Sequence, residues 1–504
     1  MRLCAYDDAM PQRTVWRIVL AFAAFKLVLA FYASGYYDYF RDELYFIACS
    51  RHLDWGYVDH PPLVAVFAWI GDHIGGGLRG FRLLSTLAGT LRLVLTGVLA
   101  ARLGGNRVAQ ALACVAVLLT PCYLAVDTIM TMNVFEQVIW LACILVVVEI
   151  ANGASEKWWL AFGVLAGIGL QNKHSMFFFG AAIFASLVLT PMRRSLAKPW
   201  IWLGGAIALV IFLPNLIWEV QHDFATLEML RNVKDTGKNV VLGPIAFVIQ
   251  QAMMLNPFFA PLWIAGLIFL FLQPRYRVLG WTYLILLVLM IKLEAKDYYL
   301  APIYTMLYAA GAVWLSARRW AWIPAVVLII IGGLISAPLV LPILPPEKYL
   351  AYQRALGVKP HKTEVSFSSE MPQIFSDQFG WREMVREVAR VYNALPPDVR
   401  AKTAIYCSNY GEAGAIDFYG SQYGLPKAIS GHQNYFLWGP RDYSGESMIV
   451  VASAIVRTRP FYSRIDTVGQ RNHPYAMPDE NGPIFYCVTN RPLREIWPNY
   501  KNWR

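Results

Sequence analysis

The sequence predicts a polytopic α-helical membrane protein with a C-terminal water-soluble α/β domain, and three observations carry that expectation. Of the 504 residues, 57% are hydrophobic and only 15% charged, against roughly a quarter charged in an ordinary soluble domain. Apolar segments recur that approach the ~20 residues a helix needs to cross a bilayer. The charge density then rises past residue 344: residues 1–344 hold 25 Lys/Arg and 18 Asp/Glu, whereas 345–504 hold 19 and 15 in less than half that length. The expected domains are therefore a membrane domain, 1–344, and a soluble domain, 345–504.

Several classes fall away at once. Unbroken apolar runs exclude a porin-type barrel, whose strands alternate. Aromatics at 14%, with no heptad or short repeat, exclude disorder, collagen and coiled coil. The net charge of +11 is spread over both parts without a dense Lys/Arg stripe, so no nucleic-acid partner is expected.

In chain order, residues 15–34, 81–103, 135–150, 201–220, 278–293 and 323–344 read as full spans, and with shorter apolar segments the count reaches about eleven. Residues 62–75 are short enough to lie at the interface, and 158–170 and 176–189 are short spans. The first span follows a basic start without an Ala-x-Ala-like cleavage site, so it reads as retained rather than as a signal peptide. Alternate connections carry Arg2, Arg13 and Arg17; Arg102 and Arg107; Lys157; Arg193, Arg194 and Lys198; Arg275 and Arg277; Arg318 and Arg319. Basic connections face the cytoplasm, which with an odd span count places the tail on the opposite, periplasmic side of a bacterial inner membrane.

In the tail, residues 381–395 have helical apolar spacing, 403–407, 447–452, 462–468 and 483–488 read as strands, and 412–423 as a second helix. The spacing of Gly411, Gly414 and Gly420 lacks the strand-to-helix context of a nucleotide loop. His432, Asn434 and Tyr435 read as a satisfied polar turn. A disulfide between Cys407 and Cys487 is permitted in the periplasm; no Cys/His spacing resembles a structural zinc site. Lys26 and Arg92, inside apolar runs, are expected to pair internally or snorkel, and Glu136 to bridge helices.

Chemistry concentrates in the loop after the first span, YYDYFRDELY (36–45) followed by RHLDWGYVDHPPL (51–63). So many charges beside a membrane are costly unless water, a ligand or ion pairing compensates, although helix capping by Asp42 or Asp54 explains part of the pattern. The Asp-Glu pair and the later GYVDHPP element are followed in order by DTIMTMNVFEQ (127–137), GIGLQNKH (167–174), LPNLIWE (213–219), KDYYLAP (296–302), NYGEAGAIDFYG (409–420), SGHQNY (430–435) and LWGP (437–440). This order resembles the bacterial relatives of the protein O-mannosyltransferases, membrane glycosyltransferases of the GT-C fold; the lipid A aminoarabinose and galacturonic acid transferases are similar.

The resemblance implies inverting transfer of a sugar from a polyprenyl-phosphate carrier to a cell-envelope lipid, glycan or protein on the periplasmic face. Asp42 would occupy the catalytic acidic position, with Glu43 as its neighbour and Asp127 as a second acidic site. Lys173 and Lys296, the latter with Tyr298 in its Lys-x-Tyr-Tyr element, would face the carrier phosphate, although snorkelling explains each lysine equally well. Arg231 lies in the polar segment 221–242, which in this fold can border the carrier and acceptor entrance; a plain amphipathic surface helix explains it equally well. Where aminoarabinose transferases have Glu-Lys-Pro, this chain has Asp59-His60-Pro61. His60 then donates to phosphate, binds a divalent metal with Asp59 and His222, or caps the next segment. No cofactor beyond such a metal is implied. The competing functions are a transporter or flippase for a lipid-linked sugar, and a membrane-tethered binding protein. Transporters place polar sites near the midplane and often show two related halves, whereas here the matched charges cluster outside and no half-to-half repeat is visible.

Overall fold

The computed structural model describes residues 11–451 and 455–504; Arg2 and Ala452, used above for orientation and as a strand end, lie outside the described residues. The chain forms two compact units: Met1–Tyr36, Arg82–Trp218 and Val241–Leu344 make the first, and Tyr37–Phe81, Glu219–Val240 and Pro345–Arg504 the second. One junction falls between residues 344 and 345, and the second unit also takes in the charged loop after the first span and the polar segment 219–240.

The first unit is helical. Each of the six full spans read from the sequence is a helix long and apolar enough to cross a membrane: Trp16–Ala33, Leu83–Arg102, Met132–Ala151, Pro199–Gln221, Pro274–Lys292 and Arg319–Val340. Two bent pairs, Ser175–Val188 with Pro191–Ala197 at 108° and Pro244–Leu255 with Pro257–Leu272 at 92°, bring the number among the described residues to eight if each pair is one span. The remaining expected spans are short or broken helices. Prolines 191 and 257 each start a new segment, a position where the missing N–H costs nothing. Met132–Ala151 is the most buried of the six and Pro199–Gln221 the most exposed. Small residues permit the tightest crossing: a Cβ on Gly266 would lie 1.9 Å from Leu307 O, and one on Gly311 2.0 Å from Leu262 O, the close backbone approach that membrane helices use when lipid supplies no hydrophobic drive.

The second unit contains a five-stranded sheet built from β1 (Thr403–Cys407), β2 (Ile429–Ser430), β3 (Ser447–Val451), β4 (Tyr462–Arg471) and β5 (Gly482–Thr489). The order is β2-β1-β3-β5-β4, with β1 parallel to β2 and β3 and the β3/β5 and β5/β4 pairs antiparallel. Four strands sit where the sequence places them. β2, two residues long, is too short to show a pattern. Helix Trp381–Asn393 buries Trp381, Met384, Val385, Val388 and Val391, the expected stripe. The helix expected at 412–423 is Tyr410–Tyr419, continued by a 3-10 turn, and the Asn409 side chain caps it by accepting from the N–H groups of Gly411 and Glu412. The permitted disulfide is not formed. Cys407 and Cys487 are free, and β3 runs between their strands.

Candidate active site

Helix Arg41–Ser50 opens with two acidic residues in its first turn, where unpaired N–H groups favour negative charge. They divide the work. Glu43 is fully buried and its Oε2 accepts from the Phe40 N–H at 2.8 Å, the reach-back half of a capping box. Asp42 keeps 35% of its side chain exposed. Its Oδ1 accepts from the Tyr410 hydroxyl at 2.8 Å, while Oδ2 has no hydrogen-bond partner among the described residues.

Tyr410 is held from every side. Its ring stacks on Tyr45 at 4.5 Å and on His432 at 4.7 Å. The Tyr410 N–H donates to His432 Nδ1 at 3.2 Å, and His432 Nε2 lies 3.2 Å from the Arg504 backbone oxygen. That network assigns the Nε2–H tautomer, and burial, with nearby Lys238, holds the imidazole neutral with its pKa lowered to about 3. Burial first, and the Asp42 charge second, raise the Tyr410 phenol well above its ordinary value, so it remains a donor. The glycine spacing of this stretch also has its reason: a Cβ on Gly411 would sit 2.3 Å from Arg41 Cγ, and one on Gly414 2.8 Å from the Leu44 carbonyl. Helices Arg41–Ser50 and Tyr410–Tyr419 cross at these glycines.

Two further pairs fix the entry to the first helix. The Arg41 N–H donates to Asp377 O at 3.0 Å and its guanidinium lies 3.4 Å from the Asp377 carboxylate; burial lifts that carboxyl to about 7 against the pull of Arg41. Asp38 accepts from Tyr419 OH at 2.7 Å and from Arg382 Nε at 2.7 Å. Tyr45, Tyr410, Asp377 and Arg382 were not read as site residues. Tyr410 stands in a quoted motif, but among 27 tyrosines nothing local distinguishes it from an interfacial one.

The Asp59-His60 element is inward-facing. Asp59 Oδ1 accepts from Tyr45 OH at 2.9 Å, and burial raises its carboxyl pKa. His60 is fully buried; its Nδ1 bonds the Pro61 carbonyl at 2.9 Å and its Nε2 lies 3.9 Å from Cys49 Sγ. Both ring nitrogens of His60 thus face protein groups. Among the described residues no three His, Cys, Asp or Glu side chains are gathered for a metal, and His222 does not join Asp59 and His60 in such a group. Arg231 is exposed on the short helix Ala225–Asp235.

The remaining expected residues belong to the first unit. Asp127 is fully buried between Lys26, 2.6 Å away, and Arg92, 2.9 Å away; Arg92 also bonds the Gln137 side chain and lies 4.1 Å over the Tyr123 ring. Lys26 and Arg92 therefore pair internally, and Asp127 is their counter-ion rather than an open acid. Lys173 Nζ donates to Asn133 at 2.8 Å and Glu136 at 3.0 Å, while Ser175 bonds the other Glu136 oxygen, so Glu136 does bridge helices. The ammonium also lies 5.9 Å over Tyr298 and 4.2 Å over Tyr299, which brings two expected residues, Lys173 and Tyr298, together. Lys296 precedes the 3-10 turn Asp297–Ile303 and is half-buried.

A family model described as dolichyl-phosphate-mannose-protein mannosyltransferase matches residues 59–218, a stretch that includes Asp127 and Lys173 but not Asp42. The lipid A galacturonosyltransferase RgtD of Rhizobium johnstonii is 26% identical over 329 residues, 62% of this chain and 67% of its own length. The fold is similar to that of ArnT from Cupriavidus metallidurans in its apo state and bound to undecaprenyl phosphate: each comparison has a TM-score of 0.59 at 14% identity, covering 93% and 94% of this chain and 97% and 98% of ArnT. With its apolar spans, the chain is thus similar over part of its sequence to membrane glycosyltransferases and shares the fold of ArnT.

Proposed function

We propose that the enzyme moves a sugar from a polyprenyl-phosphate carrier to a hydroxyl of an envelope acceptor, with inversion, on the periplasmic side of the inner membrane, and that the tail lies on that side. The observation that carries the reading is the Asp42 carboxylate, oriented through one oxygen by Tyr410 and open at the other. The acceptor hydroxyl gives its proton to Asp42 Oδ2 as its oxygen bonds to the anomeric carbon. The anomeric carbon–oxygen bond to the carrier breaks and its electron pair leaves with the phosphate. One displacement needs one base and no second carboxylate nucleophile, which agrees with a buried capping role for Glu43 and a counter-ion role for Asp127. The departing phosphate needs cations or N–H donors. Lys296, with Tyr298 in its Lys-x-Tyr-Tyr element, is the cation proposed for that role. Two neighbours support the donor and acceptor classes: ArnT is bound to undecaprenyl phosphate, and RgtD is named for transfer to lipid A. Mass spectrometry of envelope glycolipids and glycans from cells with and without the gene tests the reading. It requires one sugar modification to vanish with the gene and return with it; an unchanged profile counts against it.

A further inference from the structure

The first unit has a groove of about 200 Å³ far along the chain from Asp42's loop, between helices Trp158–Asn172, Ser175–Val188 and Pro199–Gln221. Its walls are apolar, with Phe162, Phe184, Trp202 and Ala208 among them. Two of its glycines differ from those that serve helix contact. A Cβ on Gly163 would strike Gly204 O at 2.1 Å, so that pair permits a crossing, whereas a Cβ on Gly180 or Gly205 would meet nothing within 4 Å. The missing side chains at 180 and 205 leave space that no neighbour fills. Helix Pro199–Gln221 is the most exposed of the long apolar helices, and Trp202 and Phe184 are exposed on it and on its neighbour, so the groove opens toward lipid.

Charge gathers at one end of it. The groove is lined by the first half of Trp158–Asn172, the last half of Ser175–Val188 and the first third of Pro199–Gln221. The residues that adjoin these ends are Lys157, Arg193, Arg194 and Lys198, all exposed. Arg193, Arg194 and Lys198 form no ion pair among the described residues, and Lys157 lies 5.4 Å over the Trp200 ring. The one acidic residue of this stretch, Glu156, is held by the Trp159 indole at 2.9 Å and the Ser195 hydroxyl at 3.1 Å. The segment carrying Arg193 and Arg194, Pro191–Ala197, turns 108° from the preceding helix, which ends beside the groove-lining Leu187. The Trp202 indole donates to Leu196 O at 2.9 Å, an aromatic anchor of the kind found at the membrane–water interface.

An apolar slot between spans with a cluster of unpaired cations at its mouth is complementary to one molecule class: a chain-bearing lipid with an anionic head group. We propose that this groove is a binding site for an anionic glycerophospholipid, one acyl chain lying against Gly180 and Gly205 and the phosphate facing Arg193, Arg194 and Lys198. The basic alternation that orients the chain puts this mouth on the cytoplasmic side, where the site holds a structural lipid, not the sugar carrier. It is independent of the reading of Asp42.

Native mass spectrometry of the full-length protein tests this after detergent extraction and incubation with phosphatidylglycerol, phosphatidylcholine or a polyprenyl phosphate. Two variants are compared with wild type: Gly180→Leu with Gly205→Leu, which fills the groove, and Arg193→Ala with Arg194→Ala and Lys198→Ala, which removes the cations from an exposed segment. The expected result is retention of phosphatidylglycerol over phosphatidylcholine by the wild type, and a loss of at least about tenfold in each variant. Equal retention of the two phospholipids, unchanged retention in the variants, or loss in the groove-filling and charge variants of polyprenyl phosphate alone would overturn the proposal. If the glycine variant does not fold, the charge variant decides.

Discussion

The Tyr410 hydroxyl donates to Asp42 Oδ1 at 2.8 Å across 368 residues of sequence, which places the orientation of the proposed base in the hands of the tail. Tyr410→Phe keeps the ring between Tyr45 and His432 and removes only that bond. It is expected to lower kcat about tenfold with little change in acceptor KM and with stability altered by no more than about 1 kcal/mol. Steady-state kinetics and thermal unfolding read the two effects separately; unchanged kcat makes the bond a purely structural one.

Asp127 answers two buried cations, Lys26 and Arg92. Asp127→Asn leaves both without a counter-charge in the membrane unit, a loss on the order of 3 kcal/mol or more. The expected outcome is a marked fall in melting temperature or in the yield of monodisperse protein. A stable Asp127→Asn protein that has lost sugar transfer would return Asp127 to the chemistry.

Lys296, through its charge, and His60, through hydrogen bonding or a metal, were both expected to serve the carrier, and their environments separate them. Lys296→Ala is predicted to raise the donor KM about tenfold, through loss of a charge-assisted contact to phosphate. His60→Ala opens space in a fully buried site and is predicted to lower stability by roughly 2 kcal/mol while sparing donor KM. Donor titrations on the two variants check this; a donor effect in His60→Ala with stability intact would restore the phosphate role.

Burial and the neighbouring Glu480 charge push the Glu412 carboxyl up to about 8 despite Arg471, and burial lifts Asp377 to about 7. In the folded state these groups hold protons that the unfolded chain releases at ordinary carboxyl values. Between those values and the raised ones the folded state binds more protons, so stability falls as pH rises through that window. Melting temperature is expected to decline from about pH 5 to about pH 8, and Glu412→Gln to flatten the decline. An equally steep curve in the variant contradicts the assignment.

The sequence displays what continuous pattern encodes. The six long spans are legible because about twenty apolar residues announce themselves, and helix Trp381–Asn393 because its apolar stripe repeats. Lys26 and Arg92 were readable as pairing internally or snorkelling because unpaired charge in lipid is costly. Their partner was not: nothing in the run DTIMTMNVFEQ says that Asp127 is a counter-ion, since that depends on helices distant in sequence. The same holds for Asp42 and Tyr410. Glu43 reaches back to the Phe40 N–H, but with Phe rather than Ser, Thr, Asp or Asn at the N-cap the sequence carried no capping-box signature. The loop around Asp42 is assigned to the tail's unit for the same reason: Gly411 and Gly414 make room for Arg41 and Leu44, a complementarity that no linear spacing reveals.

The central claim is that Asp42 deprotonates the acceptor during transfer from a phosphate-linked carrier. The most direct measurement is turnover of purified, reconstituted enzyme with a polyprenyl-phosphate sugar and a lipid-type acceptor, comparing wild type with Asp42→Asn. The amide preserves the side chain's shape and its bond to Tyr410 while removing the base, so the variant is expected to fold and to bind donor but to lose about 100-fold or more of kcat. Wild-type turnover by folded Asp42→Asn protein, or transfer by the wild type from a nucleotide sugar without any lipid carrier, would contradict the account.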